Sequence, residues 1–259
     1  TSLAGVTQVP FRTEARPTQV WGVIFDTDMT PLVGIKVKLR GTKMETETDA
    51  LGQFHFEDAP AGRQVLEIDG NSYFGDQKFG KLYKAVTLTP GGENDLRPSD
   101  PIFLTPTDNT TRTLVEEDSD QHVTFNNSIP GLALDIEAGS MTLPDGSAEG
   151  YITATEVDVS LPLLAMPDGR RPEMVYRMEP SGTTFSKPVA ATFPNKYDYP
   201  EGEKLSLSVV AEDGKTQYLG TATVVPDGQG GTVIKTDEET EIDHFCYFAM
   251  MTLETGGPL

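Results

Sequence analysis

Short runs that alternate apolar and polar residues restrict the fold of this chain more than any other feature. One run places the apolar residues Ile35, Val37 and Leu39 on either side of Lys36 and Lys38. A period of two is typical of a β-strand with one buried face. The 25 glycines and 19 prolines interrupt every 12-residue stretch that could otherwise keep a helical period. We therefore predict an all-β chain.

Turn signals separate these runs along the chain. Similar strand-like runs occupy residues 54–56, 65–68, 151–159, 175–178 and 205–209. The turns between runs include Pro90-Gly91-Gly92, Pro144-Asp145-Gly146 and Pro226-Asp227-Gly228. Short strands punctuated in this way are typical of antiparallel sandwiches. The predicted fold is two tandem antiparallel β-sandwich domains.

Acidic residues are concentrated in the second part of the chain. Residues 1–105 carry 11 basic and 14 acidic residues, whereas the remainder carries 9 and 26. The composition changes in a Thr-, Pro- and Asn-rich stretch that is typical of a linker. We predict an N-terminal extension, a first sandwich, an acidic second sandwich and a tail, at residues 1–16, 17–105, 106–255 and 256–259.

Composition excludes several classes of protein. A net charge of −20 disfavours nucleic-acid binding, which needs clustered cations. No apolar run approaches the ~18–20 residues needed to cross a bilayer, so we expect no membrane insertion. The single cysteine excludes an intrachain disulfide framework. Because the sequence starts at Thr1 without Met, we expect a processed or excised piece of a larger protein.

A strand, a Pro-Leu-x-Gly turn, a strand and a Thr-Asp-x-x-Gly-x-Phe hairpin follow one another near the start of the chain. They are Val20-Trp21-Gly22-Val23-Ile24-Phe25-Asp26, Thr30-Pro31-Leu32-Val33-Gly34-Ile35-Lys36-Val37 and Thr48-Asp49-Ala50-Leu51-Gly52-Gln53-Phe54-His55-Phe56. This pattern resembles the carboxypeptidase-regulatory or transthyretin-like sandwich over residues 17–105. The resemblance implies a non-catalytic spacer or stabiliser in a large extracellular protein. Gly34 and Gly52 suit turns with positive φ, and Asp49 can cap its own turn.

A second pattern lies within residues 132–193. It comprises Leu134-Asp135-Ile136-Glu137-Ala138-Gly139-Ser140, Pro144-Asp145-Gly146 and Met178-Glu179-Pro180-Ser181-Gly182-Thr183-Thr184-Phe185-Ser186-Lys187-Pro188-Val189. This is similar to the ZU5-type sandwich. Together with residues 218–224, it resembles segments that precede the shell of large secreted bacterial Rhs/YD-repeat, teneurin-like proteins. The resemblance implies a place outside that shell, because the YD repeat itself is missing.

The segment around Cys246 is the sharpest candidate for chemistry. Some ZU5-like domains cut their own chain after Phe in a His-Phe-Ser element, which His244, Phe245 and Cys246 resemble with Cys in place of Ser. Cleavage between Phe245 and Cys246 would need a strained bond, an activated thiol and a His that moves protons. The favoured interpretation is a terminal strand in which Cys246 is a small buried residue.

Two carboxylates are candidates for binding Ca²⁺. Asp26 and Asp28 follow the first predicted strand, and alternating acids can supply hard oxygen ligands. The further ligands of an EF-hand are missing, so a turn in which Asp accepts backbone hydrogen bonds is favoured. Acidic runs at residues 116–120 and 237–241 are interpreted as solvated loops. We expect no cofactor, with Ca²⁺ as the alternative.

Histidine and tryptophan offer no obvious ligand site in the sequence. His55, His122 and His244 are isolated from one another, so we expect no zinc site. Trp21 could serve as a stacking platform for a sugar, although a packed tryptophan is the favoured interpretation. No nucleophile elbow, phosphate-binding loop or dinucleotide fingerprint occurs.

These observations favour a non-enzymatic structural or interaction module of a large secreted or cell-surface bacterial protein. Its expected partners are neighbouring domains of the same protein, or another surface protein, and it would space or dock them, beside an Rhs-type shell as the resemblance implies. Two alternatives stay open: a self-cleaving module that cuts at Phe245–Cys246, and a carbohydrate- or matrix-binding adhesin.

Overall fold

The computed structural model of the chain describes residues 16–125, 128–160, 170–211 and 213–253. Apart from two single-turn 3-10 helices, at Gly70–Ser72 and Asn109–Thr111, the regular structure of these residues is β-strand. The predicted all-β class is confirmed. Within this part of the chain, no helix has the length and apolar character that crossing a bilayer requires.

The first sandwich contains eight strands in two facing sheets. They are β1 (Gln19–Asp26), β2 (Lys36–Leu39), β3 (Glu45–Glu47), β4 (Gln53–Phe56), β5 (Gly62–Asp69), β6 (Lys81–Leu88), β7 (Glu93–Asp95) and β8 (Ile102–Leu104). One sheet has the order β4-β1-β7, with β8 also paired to β1, and the other has the order β3-β2-β5-β6. β1 runs parallel to β7 and β8, whereas its pairing with β4 is antiparallel.

Alternation along β2 works as the sequence predicts. Val37 and Leu39 are buried between the sheets, and Lys36 and Lys38 are exposed. The predicted turn chemistry around β4 is also present, because Asp49 Oδ1 accepts hydrogen bonds from the backbone N–H groups of residues 51 and 53. The first sandwich therefore has a conventional two-sheet core.

The second sandwich is built from one continuous twelve-stranded sheet that folds over its own core. Its strands are β9 (Thr113–Val115), β10 (Gln121–Thr124), β11 (Ala133–Ile136), β12 (Met141–Thr142), β13 (Gly150–Glu156), β14 (Met174–Glu179), β15 (Thr184–Pro194), β16 (Lys204–Val210), β17 (Thr216–Pro226), β18 (Thr232–Thr236), β19 (Ile242–His244) and β20 (Tyr247–Thr252). The order is β10-β11-β15-β18-β17-β16-β20-β14-β13-β9, and β12 and β19 pair with β15.

Three neighbouring strands, β16, β20 and β14, are buried on both faces. Ser206 and Ser208, which alternate with the apolar residues of β16, are both buried. Ser206 donates a hydrogen bond to the carbonyl of Met251, 3.2 Å away. The outer face of these strands lies against the first sandwich, which replaces water there.

The stretch between the sandwiches is hydrogen-bonded to both of them. The N–H of Thr107 donates to the carbonyl of Lys78 in the first sandwich, at 2.7 Å. The next residue, Asp108, donates its N–H to Thr155 Oγ1 in the second sandwich, at 2.9 Å. The stretch that the sequence predicts to be a linker is therefore held by hydrogen bonds to both sandwiches. The predicted extension, apart from Arg16, and the predicted tail lie outside the described residues.

Candidate functional site

The junction between the sandwiches is the site that the described residues build most completely. Apolar side chains from the outer faces of β14, β16 and β20 join the core of the first sandwich in one cluster. From the second sandwich, the buried members are Val157, Val175, Val210, Tyr247, Ala249 and Met251. The inner-facing neighbours on the same strands, such as Tyr176 and Phe248, belong to the core of the second sandwich. The two cores are separated only by the backbone of these strands.

A buried arginine crosses this junction. Arg177 of β14 is 1% exposed, and its Nη1 donates hydrogen bonds to the carbonyls of Phe79 and Thr105, at 2.5 and 2.9 Å. Its Nη2 donates to Thr107 Oγ1 at 2.8 Å. All three acceptors belong to the first sandwich or to the crossing segment. Burial of a charge is tolerated only where such partners replace water.

Glu179, two residues along β14, accompanies Arg177 in the junction. Its Oε1 lies 3.4 Å from Arg177 Nε, which is an ion pair without a hydrogen bond. Its Oε2 accepts a hydrogen bond from the N–H of Ser181. Burial raises the pKa of the Glu179 carboxyl, and the Arg177 charge and the Ser181 N–H offset only part of that effect. The pair is thus held in a low-dielectric layer between the sandwiches.

A glycine makes the close approach possible. Gly80 has φ of +68°, and a Cβ built there would lie 2.2 Å from Glu179 Oε1 and 2.9 Å from Arg177 Nε. Both the backbone conformation and the space exclude a larger residue. The backbone of Gly80 in the first sandwich therefore lies directly against the ion pair of the second sandwich.

A second contact brings the turn between β16 and β17 against the first sandwich. Asp213 accepts a hydrogen bond on its carbonyl from Arg63 Nη2, at 3.0 Å. Gly214, with φ of +68°, would place a Cβ 2.5 Å from the backbone nitrogen of Ala85 in β6. The sandwiches are thus fixed to each other at two separated places.

The predicted cleavage residues lie at the edge of this junction. Phe245 and Cys246 connect β19 to β20, and Phe245 is buried with its ring 5.0 Å from that of Phe185. The N–H of Phe245 donates to Thr183, and the carbonyl of Cys246 accepts from Met178. Ordinary backbone hydrogen bonds therefore flank the Phe245–Cys246 bond.

The Cys246 thiol is buried and has no histidine partner among its hydrogen bonds. It is 7% exposed, and burial raises its pKa well above the usual value for a thiol. Its Sγ lies 3.5 Å from the carbonyl oxygen of Tyr247, whereas the ring of His244 pairs with Asp243 at 2.6 Å. A cavity of about 40 Å³ beside the thiol is lined by both sandwiches. This geometry favours the interpretation of Cys246 as a packing residue.

The Ca²⁺ candidates form a turn. Asp26 Oδ1 accepts hydrogen bonds from the N–H groups of Asp28 and Thr30, at 2.9 and 2.8 Å. Within the described ranges, no group of three or more His, Cys, Asp or Glu side chains is arranged to hold a metal ion. The carboxylate of Asp26 is therefore already used to cap its own turn.

Trp21 is engaged by neighbouring side chains. Its ring stacks on that of His55, with centroids 3.7 Å apart, and the guanidinium of Arg97 lies 4.9 Å from its centroid. His55 comes from β4, directly opposite Trp21 in the sheet. This arrangement favours the packed interpretation of the tryptophan over a sugar platform.

Arg177, Glu179 and Gly80 are not among the site residues that the sequence predicts. The sequence does contain one signal for a strand that is buried on both faces, because residues 247–251 are continuously apolar instead of alternating. The single Arg177 within β14 has the pattern of an outward-facing polar residue, and only the covering sandwich makes it a junction residue.

No family model matches the chain, and no curated protein matches it either. The predicted resemblances to transthyretin-like, ZU5-type and Rhs proteins therefore stay predictions.

Similar solved structures are distant. A chain of a type II cohesin–X-dockerin complex from Acetivibrio cellulolyticus is 22% identical over 35% of this chain and 59% of its own length, with a TM-score of 0.27. The major pilin subunit of Bacillus cereus is 11% identical over 93% and 60%, with a TM-score of 0.27. The TIE protein of Bacillus anthracis is 10% identical over 91% and 48%, with a TM-score of 0.29.

This chain spans about three fifths of the length of the cohesin-complex and pilin chains. All three TM-scores lie below 0.5, and structural similarities this weak do not indicate what the chain binds. The β-sandwich assignment rests on the strand pairing of the chain itself.

Proposed function

We propose that this chain is a non-enzymatic structural module of a larger secreted or cell-surface protein, in which the two sandwiches act as one rigid spacer that docks neighbouring domains. The observation that carries the proposal is the junction, where Arg177 donates its hydrogen bonds across to Phe79, Thr105 and Thr107. Sandwiches that only follow one another in a chain do not need such a shared layer.

Rigidity follows from the chemistry of the junction. Separating the sandwiches would expose the apolar outer faces of β14, β16 and β20 and remove the three oxygen acceptors of Arg177. The first change is unfavourable in water, and the second is unfavourable in a partly opened interface, where water does not fully replace those acceptors. A fixed angle between the two sandwiches is what a spacer needs to hold its neighbours apart.

Small-angle scattering and denaturant unfolding test this proposal together. A rigid pair gives a scattering curve that fits one arrangement of the two sandwiches, and both unfold in a single transition. Two resolved transitions, or scattering that requires many separations of the sandwiches, would exclude the rigid-spacer role. In both measurements Arg177→Ala is the variant that removes the junction contacts. Arg97→Ala, which alters a cluster confined to the first sandwich, is its matched control.

The self-cleavage alternative is tested separately by intact-mass measurement. Under the proposed function, wild type and Cys246→Ala each give one mass for the uncut chain after prolonged incubation. Fragments that end at Phe245 in wild type, and disappear in Cys246→Ala, would replace the structural proposal with a processing function.

A further inference from the structure

Large hydrophobic side chains are exposed together at one end of the first sandwich. Met29, Val33, Leu51 and Phe74 are 60%, 45%, 62% and 98% exposed, and they make up half of the eight large exposed hydrophobic residues in the described part of the chain. We call these four residues the apolar tip. Single exposed hydrophobic residues are ordinary, but a group of them marks a surface that meets a partner.

Hydrogen bonds tie the three turns of the apolar tip together. The N–H of Gly34 donates to the carbonyl of Thr48 at 2.9 Å, which joins the turn of Val33 to that of Leu51. The N–H of Lys36 donates to the hydroxyl oxygen of Ser72 at 2.8 Å, which joins the turn of Phe74 to the segment that follows Gly34. The backbone of the apolar tip is therefore preorganised, so binding would order little main chain.

Met29 is held in an unfavourable backbone conformation. Its φ of +65° lies in the left-handed region, where a residue with a Cβ is strained and glycine is preferred. Its exposed side chain gains little packing energy in return. Strain of this kind, observed at an exposed apolar residue, points to a role outside the stability of the fold.

The charges around the apolar tip are mostly negative. The turns at residues 26–34, 46–53 and 70–77 contain five acidic residues and no lysine or arginine. The acidic residues are Asp26, Asp28, Glu47, Asp49 and Asp76. Lys36 and Lys78 flank these turns, and the ammonium of Lys78 donates to the carbonyl of Tyr73 at 2.8 Å. The apolar centre thus has a rim with five acidic residues and two lysines, and its net charge is negative.

We propose that the apolar tip docks into an apolar pocket, rimmed by lysine and arginine, on a neighbouring protein domain. This rests on the proposed spacer function and specifies the chemistry of its partner. The almost fully exposed Phe74 projects from its turn, so the pocket belongs to the partner. A second copy of this chain would bring five like charges to the contact, and an anionic membrane would repel the same acids.

A labelled amphipathic peptide of lysine and leucine is the probe for this surface. In fluorescence anisotropy, wild type should bind it, and the double variant Leu51→Ser/Phe74→Ser should bind roughly tenfold or more weakly, because two apolar side chains no longer leave water. The matched double variant Leu114→Ser/Tyr218→Ser, which removes exposed side chains of the second sandwich, should stay within about twofold of wild type. Equal weakening in both doubles, or none in the first, would overturn the proposal.

Met29→Gly separates binding from stability. It relieves the left-handed strain and removes an apolar side chain, so we expect a higher melting temperature together with weaker peptide binding. An unchanged or tighter affinity would contradict the role of Met29 in docking.

Two further measurements exclude the other occupants. Wild type should not float with phosphatidylcholine vesicles and should sediment as a monomer, and flotation or dimerisation that is lost in Leu51→Ser/Phe74→Ser would overturn the proposal in favour of a membrane or a second copy. Scattering from this variant should match wild type. Failure of the peptide test therefore leaves the rigid-spacer role intact, and failure of the scattering test leaves the peptide result intact.

Discussion

Arg177 and Arg97 both hold parts of the first sandwich in place, but in opposite surroundings. Arg97, in the turn after β7, is half-exposed and pairs with both carboxylate oxygens of Asp95 at 2.8 Å. Arg177 is buried and donates to three oxygens that belong to another part of the molecule. Water can replace the partners of Arg97, but it cannot reach those of Arg177. An arginine side chain thus contributes little to stability where water reaches it and much where water is excluded.

Arg177→Ala should have the largest effect of the changes considered. It leaves the carbonyls of Phe79 and Thr105 and the carboxylate of Glu179 buried without their partner, and we expect a loss of about 3–5 kcal/mol in the free energy of unfolding. Urea unfolding measures this loss. Two separated transitions would show in addition that the sandwiches have uncoupled. A loss no larger than that of Arg97→Ala would contradict the comparison.

Gly80→Ala should come next. The new Cβ would lie 2.2 Å from Glu179 Oε1, on a backbone with φ of +68°, so overpacking adds to the conformational strain. We expect a loss of about 2–4 kcal/mol in unfolding free energy. Gly41→Ala is the matched control, since Gly41 has φ of +77° and nothing within 4 Å of its Cβ position. Equal losses for both variants would show that the close approach at Gly80 does not matter.

Glu179→Gln tests whether the buried carboxyl of the junction makes the unfolding free energy depend on pH. Because burial raises the pKa of Glu179 in the folded state, its favourable contribution is fully present below the unfolded pKa and is lost as pH rises through the folded pKa. Wild type should therefore lose stability relative to Glu179→Gln between pH 5 and pH 8, a range chosen to lie above the ~4.3 of an unperturbed Glu.

Unfolding free energies of both proteins across this range measure the effect, with the exposed Glu116→Gln as the control. A wild type that gains stability relative to Glu179→Gln as pH rises would mean that the Arg177 charge outweighs burial at this carboxylate.

Arg97→Ala should have the smallest effect. Arg97 is half-exposed, and its ion pair is screened by water and salt, so the melting temperature should hardly change. Trp21 is the only tryptophan, and it loses a cation close to its ring, so its fluorescence should change while the fold remains intact. A large drop in melting temperature would show that the two arginines are more alike than their burial indicates.

Local patterns predict the fold well where one strand face meets solvent. The alternation of β2 and the Asp49 turn follow from neighbouring residues alone, and both are present. The burial of Ser206 and Ser208 could not be predicted, because the alternation of β16 also fits a wet outer face. What covers that face comes from more than 100 residues away in the chain, and a periodic pattern contains no information about it.

The same limit applies to the candidate site. The neighbours of Cys246 in the sequence predict a reactive thiol as one alternative, yet the reactivity of a thiol depends on burial, which the sequence does not give directly. Nothing in the sequence marks Arg177, on whose hydrogen bonds the proposed function rests. A short motif shows which reactive or charged side chains lie close together in the sequence. How the two sandwiches pack decides which of these side chains are buried and which form contacts.

The turn at Asp213 and Gly214 has a consequence for solubility. β6 is an edge strand of its sheet, and an uncovered edge of eight residues is a template on which other chains can add strands. Gly214 lies against the backbone of Ala85 in the middle of that edge. The second sandwich thus shields the first from intermolecular strand pairing, and a chain cut between them would expose the surface from which aggregates grow.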